Sequence, residues 1–140
     1  GVEEIKNRYG SNVPVCGHPL CRYPHSINLK DHEQLPFGKF SVECLYSPGH
    51  TEDSVIYKLA EADALFTGDT LFIDCCGYCK DVQMFNTMKN VIMPLEDSLI
   101  VYSGHNYGHV PFESLGNQKK SNIYLNASSL EAFKENLKNL

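Results

Sequence analysis

The sequence lacks long hydrophobic runs, clusters of basic residues, internal repeats and low-complexity segments. No apolar stretch approaches the roughly 20 residues of a membrane-spanning helix. The formal net charge is −5 and no basic run occurs, so a nucleic acid is not an expected partner. The first residues, GVEEIKNRYG, fit neither a signal peptide nor a transit peptide. We therefore expect a cytoplasmic protein, or a mitochondrial one if a transit peptide has been removed.

The composition is that of a globular protein, with 42% hydrophobic and 21% charged residues. At 140 residues, one domain is the natural expectation. Six cysteines are present, and their spacing does not resemble a disulfide framework, which predicts reduced thiols. Cys76 and Cys79 form a CxxC pair, but a structural zinc site requires a second pair of ligands at a comparable spacing, and the sequence offers none.

Three apolar runs end in the same way, at a glycine followed by a side chain that can bind a metal. The runs 41–48, 65–67 and 99–102 are followed by Gly49-His50, Gly68-Asp69 and Gly104-His105. Short apolar runs that stop at a glycine are typical of buried strands. Imidazole and carboxylate groups are common ligands of zinc and iron. The pattern predicts three strand ends that meet in a metal site.

Apolar spacing predicts three helices and further strands along the chain. Residues 81–91 have Val82, Phe85 and Met88 on one face, with Asp81 as the N-cap, and residues 2–9 and 130–140 are also helical. Strands are expected at 12–16, 39–46 and 54–59. The segment 17–37 is expected to be a loop around a short strand at 26–29.

The motifs SPGHT (47–51), FTGDTLF (66–72) and YSGHNYG (102–108) resemble metal motifs of the metallo-β-lactamase superfamily, in order and in separation. The similarity is to the glyoxalase II-like branch, which contains hydroxyacylglutathione hydrolases and persulfide dioxygenases. Residues 112–122 resemble the helix that follows these motifs in that branch. The resemblance implies an α/β fold, the four-layer αββα sandwich, formed by residues 1–140 as a single, incomplete domain.

The resemblance also implies a metal centre and a reaction. His50 would bind one metal, Asp69 would bridge two metals as the catalytic carboxylate, and His105 would bind the second metal. The metals would be zinc, with iron as the alternative, and they would activate a water and polarise the carbonyl of a glutathione-type thioester. The loop with Cys76, Gly77 and Tyr78, together with Tyr107, would contact the substrate.

One motif of that family, HxHxDH, does not occur, because no His-x-His is present in the 140 residues. That motif provides two ligands to each metal. We therefore expect the amino-terminal part of the fold to be missing, and residues 1–140 alone to hold metal poorly and to be inactive. Catalytic zinc sites normally have three protein ligands.

Two other functions remain open at the level of the sequence. A persulfide dioxygenase needs one iron bound by two histidines and one aspartate, and His50 and Asp69 could provide two of these ligands. A non-catalytic binding or assembly module is the other alternative. An incomplete sheet has an unpaired edge, which predicts association into a homodimer.

Overall fold

Eight strands and four α-helices make up the structure, a computed structural model that describes residues 1–140 apart from the side chain of Phe37. The strands are β1 (Cys16–Gly17), β2 (Ile27–Asn28), β3 (Gln34–Phe37), β4 (Phe40–Tyr46), β5 (Val55–Leu59), β6 (Ala64–Gly68), β7 (Ile100–Ser103) and β8 (Glu113–Ser114). The helices are α1 (Val2–Tyr9), α2 (Asp81–Thr87), α3 (Leu115–Ser121) and α4 (Leu130–Leu137). A 3₁₀ turn covers Ala60–Ala62, and a π-helical segment, Met88–Ile92, continues α2. In the described part of the chain, no helix is long and apolar enough to cross a membrane.

The main sheet has six strands, β3 to β8, which lie side by side in chain order. Its strands pair antiparallel except for β6 and β7, which are parallel. The parallel pair requires a crossover, and α2 lies within it. β1 and β2 form a separate two-stranded parallel pair. Since β6 and β7 point the same way, the segments that follow them begin at the same edge of the sheet.

The hydrophobic core lies between one face of the main sheet and the helices. Leu65 and Thr67 of β6 point into it, while Phe66 between them is 45% exposed on the opposite face. This alternation is expected for a strand with a period of two. Phe85 of α2 contacts Phe133 of α4, with ring centroids 5.8 Å apart, so the two helices pack on each other. The core therefore fixes the position of α2 relative to the main sheet.

Most predicted strands and helices are confirmed, but the strand at 12–16 is wrong. Only Cys16 of that range is in a strand, β1. The predicted loop at 17–37 also contains β3, which forms a hairpin with β4. Pro36 of β3 has no N–H to donate, and β3 is an edge strand. At the edge of a sheet this missing donor is tolerated.

The predicted apolar face of the helix at 81–91 is confirmed for Met88, and Phe85 packs on the core, but the prediction is wrong for Val82. Val82 is 46% exposed, whereas Met84, Met88 and Ile92 are fully buried. The helix continues from Thr87 as a π-helical segment, whose wider turn changes the direction of the later side chains. Asp81 is the first helical residue rather than the N-cap, although its carboxylate accepts a hydrogen bond from the Val82 N–H at 2.6 Å.

Candidate metal centre and substrate cavity

His50 lies in the loop between β4 and β5, and α2 supports this loop from below. The Thr87 hydroxyl donates to the Pro48 carbonyl at 2.6 Å. Gly49 is packed so closely on α2 that a β-carbon there would lie 2.8 Å from the Met84 Cα, and its φ of +151° also favours glycine. His50 Nδ1 is 2.7 Å from the Tyr78 carbonyl oxygen. Because a carbonyl only accepts, Nδ1 carries the proton and Nε2 is left with a free lone pair.

Asp69 and His105 follow the two parallel strands, β6 and β7. His105 Nε2 is 3.4 Å from one carboxylate oxygen of Asp69, and His50 Nε2 is 3.5 Å from the other. Gly104 permits this approach, since a β-carbon at that position would lie 2.5 Å from Asp69 Oδ1. The strand ends thus bring His50, Asp69 and His105 together, with the carboxylate between the two imidazoles.

These separations fit a carboxylate that bridges two metal ions. Two ligands of one tetrahedral zinc ion, each about 2.0–2.2 Å from the metal, lie roughly 3.3–3.5 Å apart. Each histidine–carboxylate pair has that separation. Among the described side chains, no group of three or more His, Cys, Asp and Glu residues could hold a single ion. The arrangement would offer two ligands, one histidine and the shared carboxylate, to each of two ions.

A cavity of about 580 Å³ opens beside this carboxylate. Its walls consist of the three residues just described, the loop that follows β6, and aromatic side chains from distant segments. The lining residues are His50, Asp69, Phe72, Cys75, Cys76, Gly77, Tyr78, His105, Tyr107, Tyr124, Asn139 and Leu140. A pocket of this size, with mostly apolar walls and a few convergent polar groups, is typical of a small-molecule site.

The four residues predicted to contact substrate all line this cavity. Gly77 lies directly against the backbone oxygen of Asp69, where a β-carbon would collide. Tyr78 is 85% exposed, and its carbonyl oxygen is 2.7 Å from His50 Nδ1. Tyr107 stacks on the His105 ring at 5.2 Å between centroids. Their roles toward a substrate stay a prediction.

Cys76 enters the cavity wall as a neutral thiol. A hydrogen bond with Cys79, together with burial, raises the pKa of Cys76 far above its usual value, and the same hydrogen bond lowers the pKa of Cys79. A thiol with a raised pKa is a poor nucleophile and a poor metal ligand. Cys76 is therefore suited to packing rather than to chemistry.

A carboxylate–imidazole pair joins the loop after β6 to the loop after β7. His109 Nδ1 is 2.6 Å from Asp74 Oδ2, and the His109 backbone N–H donates to the same oxygen at 3.2 Å. This hydrogen bond holds the pKa of Asp74 below its usual value and raises the pKa of His109. The segments that carry Asp69 and His105 are thus connected again outside the metal centre.

Comparison with known proteins agrees with this geometry. The sequence model of the metallo-β-lactamase superfamily matches residues 7–115. The chain belongs to the metallo-β-lactamase superfamily. Within it, the chain belongs to the glyoxalase II-like branch, and the predicted family and fold class are confirmed.

Two relatives and one solved structure of this superfamily illustrate the similarity. The probable polyketide biosynthesis zinc-dependent hydrolase PksB of Bacillus subtilis is 33% identical over 76% of this chain and 49% of that relative. A hydroxyacylglutathione hydrolase of Brucella anthropi is 34% identical over 76% of this chain and 42% of its own length. The crystal structure of ETHE1 from Myxococcus xanthus superposes with a TM-score of 0.85 and 25% identity, over 98% of this chain and 61% of that one. The chain therefore spans about half the length of such relatives.

Several cavity residues of this metallo-β-lactamase-superfamily chain were not predicted from the sequence. Phe72, Cys75 and Tyr124 all line the cavity. Phe72 lies within the FTGDTLF motif, so its position beside Asp69 was an available signal. Tyr124 has no such signal, because it reaches the cavity only through the packing of α3 and the segment after it.

Proposed function

We propose that this metal centre belongs to a hydrolase of glutathione-type thioesters that uses two zinc ions. The observation that supports the proposal most directly is the placement of the two histidine Nε2 atoms on opposite oxygens of the Asp69 carboxylate. A bridging carboxylate suits a two-metal site, where the ions stand a few ångströms apart. The word "zinc-dependent" in the name of the Bacillus subtilis relative supports zinc as the metal.

The residues of this chain would act by positioning and by charge. The Tyr78 carbonyl fixes the tautomer of His50, so that its Nε2 is available as a ligand. Asp69 carries the negative charge that two cations would share. When bound, the metals supply Lewis acidity and lower the pKa of a coordinated water. The aromatic walls of the cavity would hold the acyl or thiol part of the substrate away from bulk water.

The test uses a chain that also carries the HxHxDH motif, because residues 1–140 by themselves are expected to hold metal poorly. Thioester cleavage by this zinc-loaded protein is measured as release of free thiol from an S-acylglutathione. The variant Asp69→Asn should lose at least 100-fold in rate, since it removes the bridging charge. Asp63→Asn, an exposed carboxylate at the turn before β6, is the matched control and should keep the wild-type rate. Equal rates for wild type and Asp69→Asn would refute the proposal.

The same samples distinguish the alternative functions. Oxygen uptake with glutathione persulfide, in a protein that contains one iron and cleaves no thioester, would favour the dioxygenase. No activity in either assay, with no bound metal, would favour a binding module.

We also propose that residues 1–140 by themselves hold zinc weakly, because they provide two ligands per ion where catalytic sites have three. The six free cysteines support the predicted cytoplasmic location.

A further inference from the structure

Asn122 has a fully buried side chain at the end of α3, and all of its polar atoms have partners. Its amide nitrogen donates to the carbonyl oxygens of Phe72 at 3.2 Å and Cys75 at 3.1 Å. Its amide oxygen accepts from the backbone N–H groups of Tyr124 at 3.1 Å and Leu125 at 3.3 Å. These four backbone partners determine which atom is nitrogen and which is oxygen, so the orientation of the amide is settled.

The two carbonyls that Asn122 binds belong to a tight turn at residues 72–75. The Phe72 N–H donates to the Cys75 carbonyl at 3.0 Å, and Asp74 has a φ of +68°, in the left-handed region. A non-glycine residue in that region is strained and persists only when its surroundings hold it there. Gln118 gives further support, because its side-chain oxygen accepts from the Asp74 N–H at 2.9 Å and from Asn122 at 3.1 Å.

This turn connects to both histidines of the metal centre. The Phe72 ring meets the His105 ring edge-on at 5.9 Å between centroids. Beyond the turn, the Tyr78 carbonyl binds His50 Nδ1. A change in the turn therefore reaches His105 through a ring contact and His50 through a hydrogen bond.

We propose that Asn122 is a positioning residue that fixes the turn at 72–75 and, through it, the orientation of His50 and His105. Asn122 does not line the cavity, and it acts only through the segment it holds. The inference goes beyond the proposed function, because it holds whatever reaction the site catalyses. Groups that orient metal ligands from outside the first layer of contacts typically affect metal affinity by about 10- to 100-fold.

The sharpest variant is Asn122→Asp, which keeps the shape and the accepting oxygen but replaces the donor by an acceptor that faces two carbonyls. Asn122→Ala removes both functions without placing a charge in the interior. Asn126→Asp is the matched control. The Asn126 amide donates to the Lys120 carbonyl at 2.9 Å, on the exposed side of the segment that follows α3. Phe133→Leu changes the core and leaves the turn at 72–75 intact. It therefore separates a general loss of stability from a loss of positioning.

The primary readout is the nitrogen NMR spectrum of His50, which reports whether its proton sits on Nδ1. In wild type, Asn126→Asp and Phe133→Leu, the proton should be on Nδ1, and in the Asn122 variants this preference should be lost. The Phe72 amide should exchange with solvent at least about tenfold faster in the Asn122 variants. Zinc affinity, measured by competition with a chelator, should fall by about tenfold or more.

Asn122 variants that fold and keep the wild-type His50 tautomer and Phe72 protection would overturn the proposal. If neither variant folds, the wild-type protein decides. Its Asn122 side-chain amide protons should be protected from exchange to the same degree as the Phe72 amide. Free exchange of those protons would overturn the proposal as well.

Discussion

Replacing Gly104 with alanine should weaken the metal centre while leaving the fold nearly unchanged. The new β-carbon would lie 2.5 Å from Asp69 Oδ1, and real β-carbons do not approach other atoms within 3.0 Å. The carboxylate oxygen must therefore move by at least about half an ångström, which is the tolerance of a pre-organised site. Asp69 can make this movement, because its side chain is about one third exposed.

The expected change in the free energy of unfolding is small, whereas the expected change in zinc affinity is large. The backbone of Gly104 is not in the left-handed region, so alanine gains about 0.4–1 kcal/mol from the reduced entropy of the unfolded chain. Crowding costs about 1–3 kcal/mol, so the net loss in the free energy of unfolding should lie between about 0 and 2.6 kcal/mol. Displacement of the carboxylate should reduce zinc affinity by about 10- to 100-fold.

The assay is chelator competition for zinc, with urea unfolding on the same samples. Gly116→Ala is the control, since its β-carbon would lie 2.9 Å from the Asp97 Cβ, far from the metal centre. This control should lose comparable stability and keep its zinc affinity. Wild-type zinc affinity in Gly104→Ala would refute the reasoning, because the carboxylate position would then be irrelevant to binding.

Three further predictions concern the core, the carboxylate–imidazole pair and self-association. Met84→Ala should lower the free energy of unfolding by about 2–5 kcal/mol, whereas the exposed Val82→Ala should change it by less than about 0.5 kcal/mol. Asp74→Asn should lower the pKa of His109 measured by NMR, because Asp74 is the main cause of its elevation. The homodimer through an unpaired sheet edge stays a prediction; light scattering at high concentration should show a dimer.

The Asp74–His109 pair also has a pH window. His109 has a raised pKa, so its contribution to stability is complete below the ordinary histidine value of 6.5 and is lost as the pH rises through its own pKa. Asp74 has a lowered pKa, so its contribution is present above 3.8 and is lost as the pH falls. The stability difference between wild type and Asp74→Asn should thus be largest between about pH 4 and 6.5. A stability difference that does not vary with pH would contradict the prediction for Asp74→Asn. Equal losses in Met84→Ala and Val82→Ala would contradict the prediction for the core, and a monomer at high concentration would contradict the predicted homodimer.

Local patterns in the sequence were sufficient to predict strands β4 to β7 and the three residues at their ends. Each of those strands alternates or runs apolar, and a glycine precedes each of the three residues His50, Asp69 and His105, so a short window contains the whole signal. The buried face of α2 was not predictable in the same way. Val82 and Met84 are both apolar and both lie in the first turn of α2. Which of them is buried depends on how α2 packs on the rest of the core rather than on local spacing.

The cavity residues were only partly predictable, because some of them are distant from Asp69 in the chain. Cys76, Gly77 and Tyr78 follow Asp69 closely in the chain, so the family motif was enough to suggest them. Asn122 and Tyr124 reach the same region through contacts between residues about 50 positions apart. Such contacts depend on the packing of α3, and the local spacing of residues in the sequence does not predict them.

The parallel pairing of β6 and β7 has a consequence for how such a protein can diversify. A parallel connection needs a long crossover, and here residues 69–99 make that crossover and build much of the cavity wall. Asp69 stands at the start of the crossover, and His105 follows β7 at the same edge of the sheet. The parts of the crossover that do not hold His50 and His105 can therefore change to accept a new substrate while the two histidines and Asp69 stay in register, so reactivity and substrate preference can evolve as separate traits.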